Sequence, residues 1–466
     1  MFIKFLGAAQ QVTGSCYYLE AGGLKLMIDC GLFQEREFLS RNWETFPVPP
    51  QNIDYVLLSH VHVDHCGLLP KLVLQGFSGK ILTTAPSFEM LPIVLEDSAH
   101  IQEEDAAYKK KRHRREGRKG PYPEIPLYTV EDAMKVFPLI EAVPYKKKIS
   151  LNKSVSVCFH DAGHILGSAM IEIIVKDGNK KKNIVFSGDI GQWNKPLVKD
   201  PTIFESADYI VMESTYGDRN HEDSDGVDDL LAHIIRDTIG AGGNVVIPTF
   251  AIERAQELMF YLSGLVREDR IPYMMMFLDS PMAVDITDVF QRHVSSLDKE
   301  SRRLFAQGHS PFRFPGMRLI RSVEESKAIN NIKGSCLIMA GSGMCTGGRI
   351  KHHLKPNIAK AESTILFVGY QVKGTLGREI INGRESVRIH GRMFPVNARI
   401  EQIQGFSAHA DRDDLLDWLG ALETPPTGIF LTHGEKEAMS ELSRQIERKL
   451  NWPVHMPEYL EEIELD

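Results

Sequence analysis

One stretch of the chain reads His60-Val61-His62-Val63-Asp64-His65, so three imidazoles and a carboxylate fall within six residues, directly after an apolar run. Borderline zinc accepts this mixture of nitrogen and oxygen donors. Structural zinc sites are mostly closed and built on cysteine, so a cysteine-free His/Asp set points to a catalytic metal with a position left for water. A turn leaving a strand lets His60 and His62 face one metal and Asp64 and His65 a second. The competing reading, a His-rich surface loop, is weak for four ligand-type residues at this spacing.

Two more positions suit the same metals. His164 ends Asp161-Ala162-Gly163-His164, and Asp189 ends Ser187-Gly188-Asp189; each follows a strand-like run. Alone, an Asp after Gly is usually a turn residue. Together they offer a third imidazole and a carboxylate able to bridge two ions. Asp29, after Met27-Ile28, is a group that would orient a ligand histidine.

The elements that must hold these residues are legible in outline. Residues 3–6, 14–20 and 24–29 read as short strands, with Gly22-Gly23 a hairpin turn. Residues 55–59 are a buried-strand run ending at the histidine cluster. Residues 80–84, 154–159, 169–175 and 183–187 are further strands, with a polar turn at Asp177-Gly178-Asn179-Lys180. Residues 88–115 predict a long helix. From about Tyr209 onward, strand, glycine-containing loop and helix alternate: strands at 209–212, 244–247, 274–278, 336–340 and 364–368, and a helix at 252–262. That rhythm predicts a parallel α/β sheet. Near Ile400 short strands return, then a strand at 428–432 and an amphipathic helix at 436–450.

With 466 residues the chain is long enough for two or three domains. A formal net charge of −8 excludes a general polycation that coats nucleic acid, though not an enzyme with a locally basic cleft. Six scattered cysteines form no C-x-x-C pair and read as reduced thiols of a cytoplasmic protein. No run is long and apolar enough for a membrane span, and the N-terminus lacks the pattern of a signal peptide.

The set His60-x-His62-x-Asp64-His65, His164 and Asp189, with Asp29 ahead, resembles the motifs of the metallo-β-lactamase superfamily. Glu213-Ser214-Thr215-Tyr216-Gly217, Phe406-Ser407-Ala408-His409-Ala410-Asp411 and Leu431-Thr432-His433-Gly434-Glu435 resemble the three extra motifs of the β-CASP nucleases. Asp279-Ser280-Pro281-Met282-Ala283, Gly341-Ser342-Gly343-Met344 and the run from Gly369 to Gly377 resemble their inserted domain. The resemblance implies an αββα metallo-β-lactamase sandwich, residues 1–208 and 390–466, interrupted by an α/β, parallel-sheet β-CASP domain at residues 209–389. It implies two zinc ions per chain, one held by His60, His62, His164 and Asp189, the other by Asp64, His65, Asp189 and His433. Two-metal hydrolysis of a phosphodiester in single-stranded RNA follows, the metals activating water and neutralising charge on the phosphoryl oxygens. Asp64 counts among the catalytic residues with Glu213 and His409, the pair that would protonate the departing ribose oxygen. A second copy of the chain is compatible with this as a homodimer partner.

Three features stand outside that core. Residues 109–119 carry eight Lys/Arg and one acid, Glu116; a solvated helix end and a phosphate-tracking arm explain the run equally well. The loop Gly341-Ser342-Gly343-Met344-Cys345-Thr346-Gly347-Gly348 reads either as a phosphate cradle or as tight strand–helix packing. Arg254 is by default a helix-surface arginine, with phosphate contact the rival. The rival functions are a small-molecule ester or thioester hydrolase, which gives no role to Glu213 and His409; a DNA nuclease of the same family; and a scaffold that has lost its ligands, disfavoured because every ligand is present.

Overall fold

The computed structural model describes residues 1–178, 180–221 and 226–466. The chain divides into two compact units: Met1–Asn194 with Asp200–Asn220 and His409–Asp466, and Lys195–Lys199 with His221–Ala408.

The first unit is a sandwich of two seven-stranded sheets. One runs in the order Glu462–Glu464, Phe2–Phe5, Tyr17–Ala21, Leu24–Ile28, Tyr55–Leu57, Lys80–Thr84, Ile140–Val143; the other in the order Val454–His455, Gly428–Thr432, Tyr209–Glu213, Lys180–Phe186, Ala169–Asp177, Val155–Asp161, Ile149–Ser150. The period-two alternation of the strands fills the space between them. Phe5, Leu19, Leu26, Ile28 and Leu57 from one sheet meet Val157, Phe159, Ile171, Ile184, Phe186 and Val211 from the other in a single core. A second cluster lies on the outer face of the second sheet, where Met170, Val185, Ile210, Met212 and Leu431 pack against Leu415 and Leu419 of helix Arg412–Gly420 and Met439, Leu442 and Ile446 of helix Lys436–Leu450.

Strand direction decides where the loops gather. Leu24–Ile28 and Tyr55–Leu57 are parallel, so the residues that follow them, Asp29 and Ser59-His60, emerge at the same edge. In the other sheet Lys180–Phe186, Tyr209–Glu213 and Gly428–Thr432 are mutually parallel. Val155–Asp161 points the same way, because it and Lys180–Phe186 both pair antiparallel with Ala169–Asp177, the one strand between them. The carboxyl ends of these strands therefore deliver His164, Asp189, Glu213 and His433 together.

The predicted helix at 88–115 spans Ala85–Glu116, with Thr84 Oγ1 accepting from the Ser87 N–H as N-cap and Gly117 in the left-handed region (φ 64°) closing it. Strand Ile140–Val143, beside Lys80–Thr84, has no counterpart in the sequence reading. Of the polar turn expected at 177–180, Asn179 lies outside the described residues.

The second unit holds a six-stranded sheet in the order Met317–Ile320, Met275–Asp279, Cys336–Ala340, Val245–Pro248, Thr364–Val368, Arg399–Ile403, every pair parallel. Buried runs such as Cys336–Ala340 and Thr364–Val368 are apolar on both faces, as a helix-covered parallel sheet requires. Two boundaries differ from the expected ones. Tyr209–Glu213, grouped above with the alternating segment, pairs inside the first unit, because its two faces feed both of that unit's cores. Arg399–Ile403, grouped with the C-terminal part, completes the parallel sheet of the second unit beside Thr364–Val368. Local rhythm does not encode which sheet a strand joins.

Candidate metal centre

His60 and His62 leave the strand Tyr55–Leu57, and Asp64 and His65 lie in the single helical turn Val63–Cys66 that follows. His60 and His65 are fully buried. Opposite them, Asp189 is reached through Gly188 at φ 55°, a backbone shape that L side chains adopt with strain. Gly191 is the tighter constraint: a Cβ there would lie 1.8 Å from the Gly163 carbonyl oxygen, so the two ligand-bearing loops touch backbone to backbone.

The donors form two sets. His60 Nε2 and His164 Nε2 each lie 3.1 Å from His62 Nδ1, and 3.4 and 3.5 Å from Asp189 Oδ2. On the other side, His65 Nε2 lies 3.1 Å from Asp189 Oδ1, and His433 Nε2 lies 3.6 Å from the same oxygen and 3.5 Å from Asp64 Oδ2. One carboxylate thus gives one oxygen to each set.

Outer partners orient the rings. Asp29 Oδ2 accepts from His65 Nδ1 at 2.7 Å and from Ser59 Oγ at 2.7 Å, while its Oδ1 accepts the Ser59 N–H. That directs His65 Nε2 at Asp189. Thr215 Oγ1 donates to Glu213 Oε2 at 2.5 Å, which leaves its lone pair for His433 Nδ1 at 3.0 Å and turns His433 Nε2 inward. His433 itself sits at φ 49°, its N–H held by the Ala8 carbonyl at 2.8 Å. Ser59 and Thr215 were missed in the sequence; the signal for Thr215 was its place two residues after Glu213 in a motif already singled out.

Electrostatics separate the sets. Burial, then the charge of His60, lowers His62 to about 3. Burial also lowers His60 and His164, reinforced by His65 and by His409 respectively. These three rings are neutral near pH 7, with lone pairs to give. Burial pushes His433 down too, but the nearby carboxylates of Asp189 and Asp64, 3.6 and 3.5 Å from Nε2, outweigh it and hold the ring at about 9. His65 is raised in the same way, burial being overcome by Asp189 and Asp29. Asp64 is held well below the usual carboxylate range: burial opposes ionisation, and His433 and His65 overcome it.

The residues fit divalent metal. Asp189 Oδ1 and His433 Nε2 are buried without a hydrogen-bond partner, an expensive arrangement that a cation between them removes. Nitrogen lone pairs facing one another at 3.1 Å around a carboxylate lead to the same conclusion.

Beside this nest, His409 Nδ1 lies 3.1–3.2 Å from the two oxygens of Glu213, and the His409 ring packs on His164 at 4.4 Å. Glu213 is 1% exposed and also accepts the Ile190 N–H at 2.5 Å. Burial lowers His409, but Glu213 outweighs it and the ring is raised above its ordinary value. Its side chain is 21% exposed against 1–3% for His60, His65, His164 and His433, so it faces the open side. His409 Nδ1 is also 4.0 Å from Asp189 Oδ2, which keeps a ligand role geometrically open.

The three outlying features resolve differently. Lys109, Lys110, Lys111, Arg114, Arg115, Arg118 and Lys119 are exposed, whereas His113 turns inward to Glu124 at 2.6 Å. The Gly341–Gly348 loop closes on itself: Ser342 N–H donates to Gly347 O, Gly347 N–H to Ser342 Oγ, and Ile350 N–H to Gly341 O, so these amides are spent on packing. Arg254 donates to the Val368 carbonyl at the end of a strand of its own unit.

The chain matches three protein-family models: Metallo-beta-lactamase superfamily over residues 10–147, Beta-Casp domain over 255–380, and Zn-dependent metallo-hydrolase RNA specificity domain over 393–457. It is 37% identical to Ribonuclease TTHA0252 of Thermus thermophilus over 95% of both chains. It is 30% identical to Transcription termination factor FttA of Methanosarcina mazei, over 96% of this chain and 69% of that one. Among solved structures, a protein of unknown function from Enterococcus faecalis shares the fold, with a TM-score of 0.55, 12% identity and 99% of both chains covered. The chain belongs to the β-CASP family of the metallo-β-lactamase superfamily.

Proposed function

We propose that this protein is a two-zinc endoribonuclease that hydrolyses phosphodiester bonds of single-stranded RNA. The observation that carries the reading is the division of Asp189, one oxygen to each donor set, next to a histidine held by a buried glutamate. In this reading His60, His62, His164 and Asp189 hold one ion, and Asp64, His65, Asp189 and His433 the other. When bound, the metals supply an activated water and charge neutralisation at the phosphoryl oxygens. His409, kept protonated by Glu213, gives its proton to the departing ribose oxygen. Asp29 and Thr215 hold His65 and His433 in the tautomers that present Nε2. The first unit is then the catalytic domain and the second the inserted β-CASP domain.

The names of the relatives support RNA as substrate. A small-molecule esterase has no use for the Glu213–His409 pair. No helix among the described residues is long and apolar enough to cross a membrane, and all six cysteines are free, which supports a place in the reducing cytoplasm. The test is a matched pair of internally and end-labelled single strands, RNA and DNA, incubated with the metal-loaded protein with and without chelator. The expected result is internal cuts in RNA alone, abolished by chelation. Equal cutting of DNA, or products released only one nucleotide at a time from an end, would overturn the substrate or the endonuclease assignment respectively.

A further inference from the structure

A second group of metal-type side chains lies on the same sheet but outside the centre described above. Cys158 and His160 are two apart on Val155–Asp161, so they share a face, and Glu172 of Ala169–Asp177 stands directly opposite Cys158 in the antiparallel register. The Cys158 sulfur, a His160 ring nitrogen and a Glu172 carboxylate oxygen lie within 4.8 Å of one another. His160 Nε2 and Glu172 Oε2 are 3.0 Å apart, and Asn183 Nδ2 holds the other Glu172 oxygen at 2.9 Å. The face is the one covered farther along by the outer helices. There the His160 ring meets Phe204 edge-on at 5.0 Å, and Phe204 meets Trp418 at 6.2 Å. The group is therefore walled by aromatic rings on one side. Cys158 is 6% exposed, and the His160 and Glu172 side chains 16% and 17%.

We propose that Cys158, His160 and Glu172 form a third metal site, binding a zinc-class ion through sulfur, nitrogen and oxygen with water in the fourth position. The bland alternative is a His160–Glu172 ion pair that happens to sit beside a thiol. That pair accounts for two of the residues but not for the thiol converging on them. The local charge is not one-sided: Lys148 stands near Cys158 and Lys181 near Glu172. Sulfur is what makes the site selective, since a thiolate favours zinc or cobalt over magnesium and calcium. Binding would clamp Val155–Asp161 to Ala169–Asp177 just ahead of the loop that carries His164.

The two sites are separable because no cysteine belongs to the principal centre. Metal-free protein titrated with Co2+ would be followed by absorption and by metal analysis. The expected result is three ions per chain and a thiolate-to-cobalt charge-transfer band. Cys158→Ser should remove that band and one equivalent while the visible bands of the other two ions remain. Glu172→Gln, which keeps the Asn183 contact, should weaken the third ion more than tenfold without abolishing the band at saturation. Absence of a thiolate band at saturating cobalt, or its survival in Cys158→Ser, overturns the proposal.

Discussion

At the scale of single residues, two histidines that follow strands late in the chain have different surroundings and should fail differently. His433 faces Asp64 and Asp189 from a buried position, so His433→Ala should release or loosen one metal equivalent and take activity with it. His409 faces Glu213 from a partly open position. His409→Ala should keep both metals and bind RNA while cleavage falls by roughly 10²–10⁴, the usual worth of a positioned general acid. A substrate with a better leaving group should recover part of that loss. Metal loss in His409→Ala would instead favour the ligand role that its 4.0 Å approach to Asp189 permits. Asp29→Asn tests the outer partners: it leaves one acceptor oxygen where Ser59 N–H, Ser59 Oγ and His65 Nδ1 now share two, and should weaken metal binding about 10- to 100-fold, measured by competition with a chelator. The residues of the two donor sets were legible because four ligand-type side chains crowd into six positions directly after an apolar run. Ser59 and Thr215 were not, because hydroxyls are common and theirs matter only through Asp29, 30 positions away, and His433, 218 positions away.

Among the elements, the helix Ala85–Glu116 carries the clearest prediction. Its last turns and the residues just beyond present seven exposed cations, with Glu116 and Asp105 as acidic neighbours. Replacing Lys110, Lys111, Arg114 and Arg115 by glutamine should weaken RNA binding and reduce the salt dependence of log K by up to about 3, at roughly 0.7 per phosphate contact on a single strand. Metal content should not change. An unaltered salt slope would leave the run as a solvated helix end. In the second unit, Asp279 closes its strand and is fully buried, accepting from Ser326 Oγ at 2.5 Å, His353 Nε2 at 2.6 Å and Arg349 Nη1 at 2.7 Å. Burial pushes its carboxyl up, and these three donors together bring it below the ordinary value. The stabilisation is therefore complete above the unfolded pKa near 3.9 and is lost as pH falls through the lower folded value. Asp279→Asn should cost about 1–3 kcal/mol in urea unfolding, since it removes the charge that pairs with Arg349 and one of the acceptors that Ser326, His353 and Arg349 share, and should shrink the acid-side loss of stability. The rhythm of strand and helix made this parallel sheet readable; the network did not show, because Asp279 and His353 are 74 positions apart.

For the molecule as a whole, metal should matter to one unit and not the other. Ions at 100 times their dissociation constant stabilise the unit that binds them by about 2.7 kcal/mol. Chelation should lower the unfolding temperature of the first unit and leave that of the second, which is followed independently through Tyr273, 79% exposed in the second unit, replaced by a fluorescent probe at that position. A shift of both would mean that the units unfold as one. The discontinuity of the first unit was expected from the sequence, but its edges were not. The strand Glu462–Glu464 pairs with Phe2–Phe5 across nearly the full chain, and nothing local in either segment announces the other. That same discontinuity has a consequence for the order in which the protein is made. Strand Gly428–Thr432 fits between Tyr209–Glu213 and Val454–His455, and His433 follows it. A ribosome must translate all of His221–Ala408 before either can arrive. Until then the apolar strand Tyr209–Glu213 is an open sheet edge, the kind of surface that chaperones cover. The nascent chain already holds every donor of one metal set, yet lacks His409 and His433. If both histidines are needed, as proposed, cleavage of RNA by the chain waits until translation has passed them.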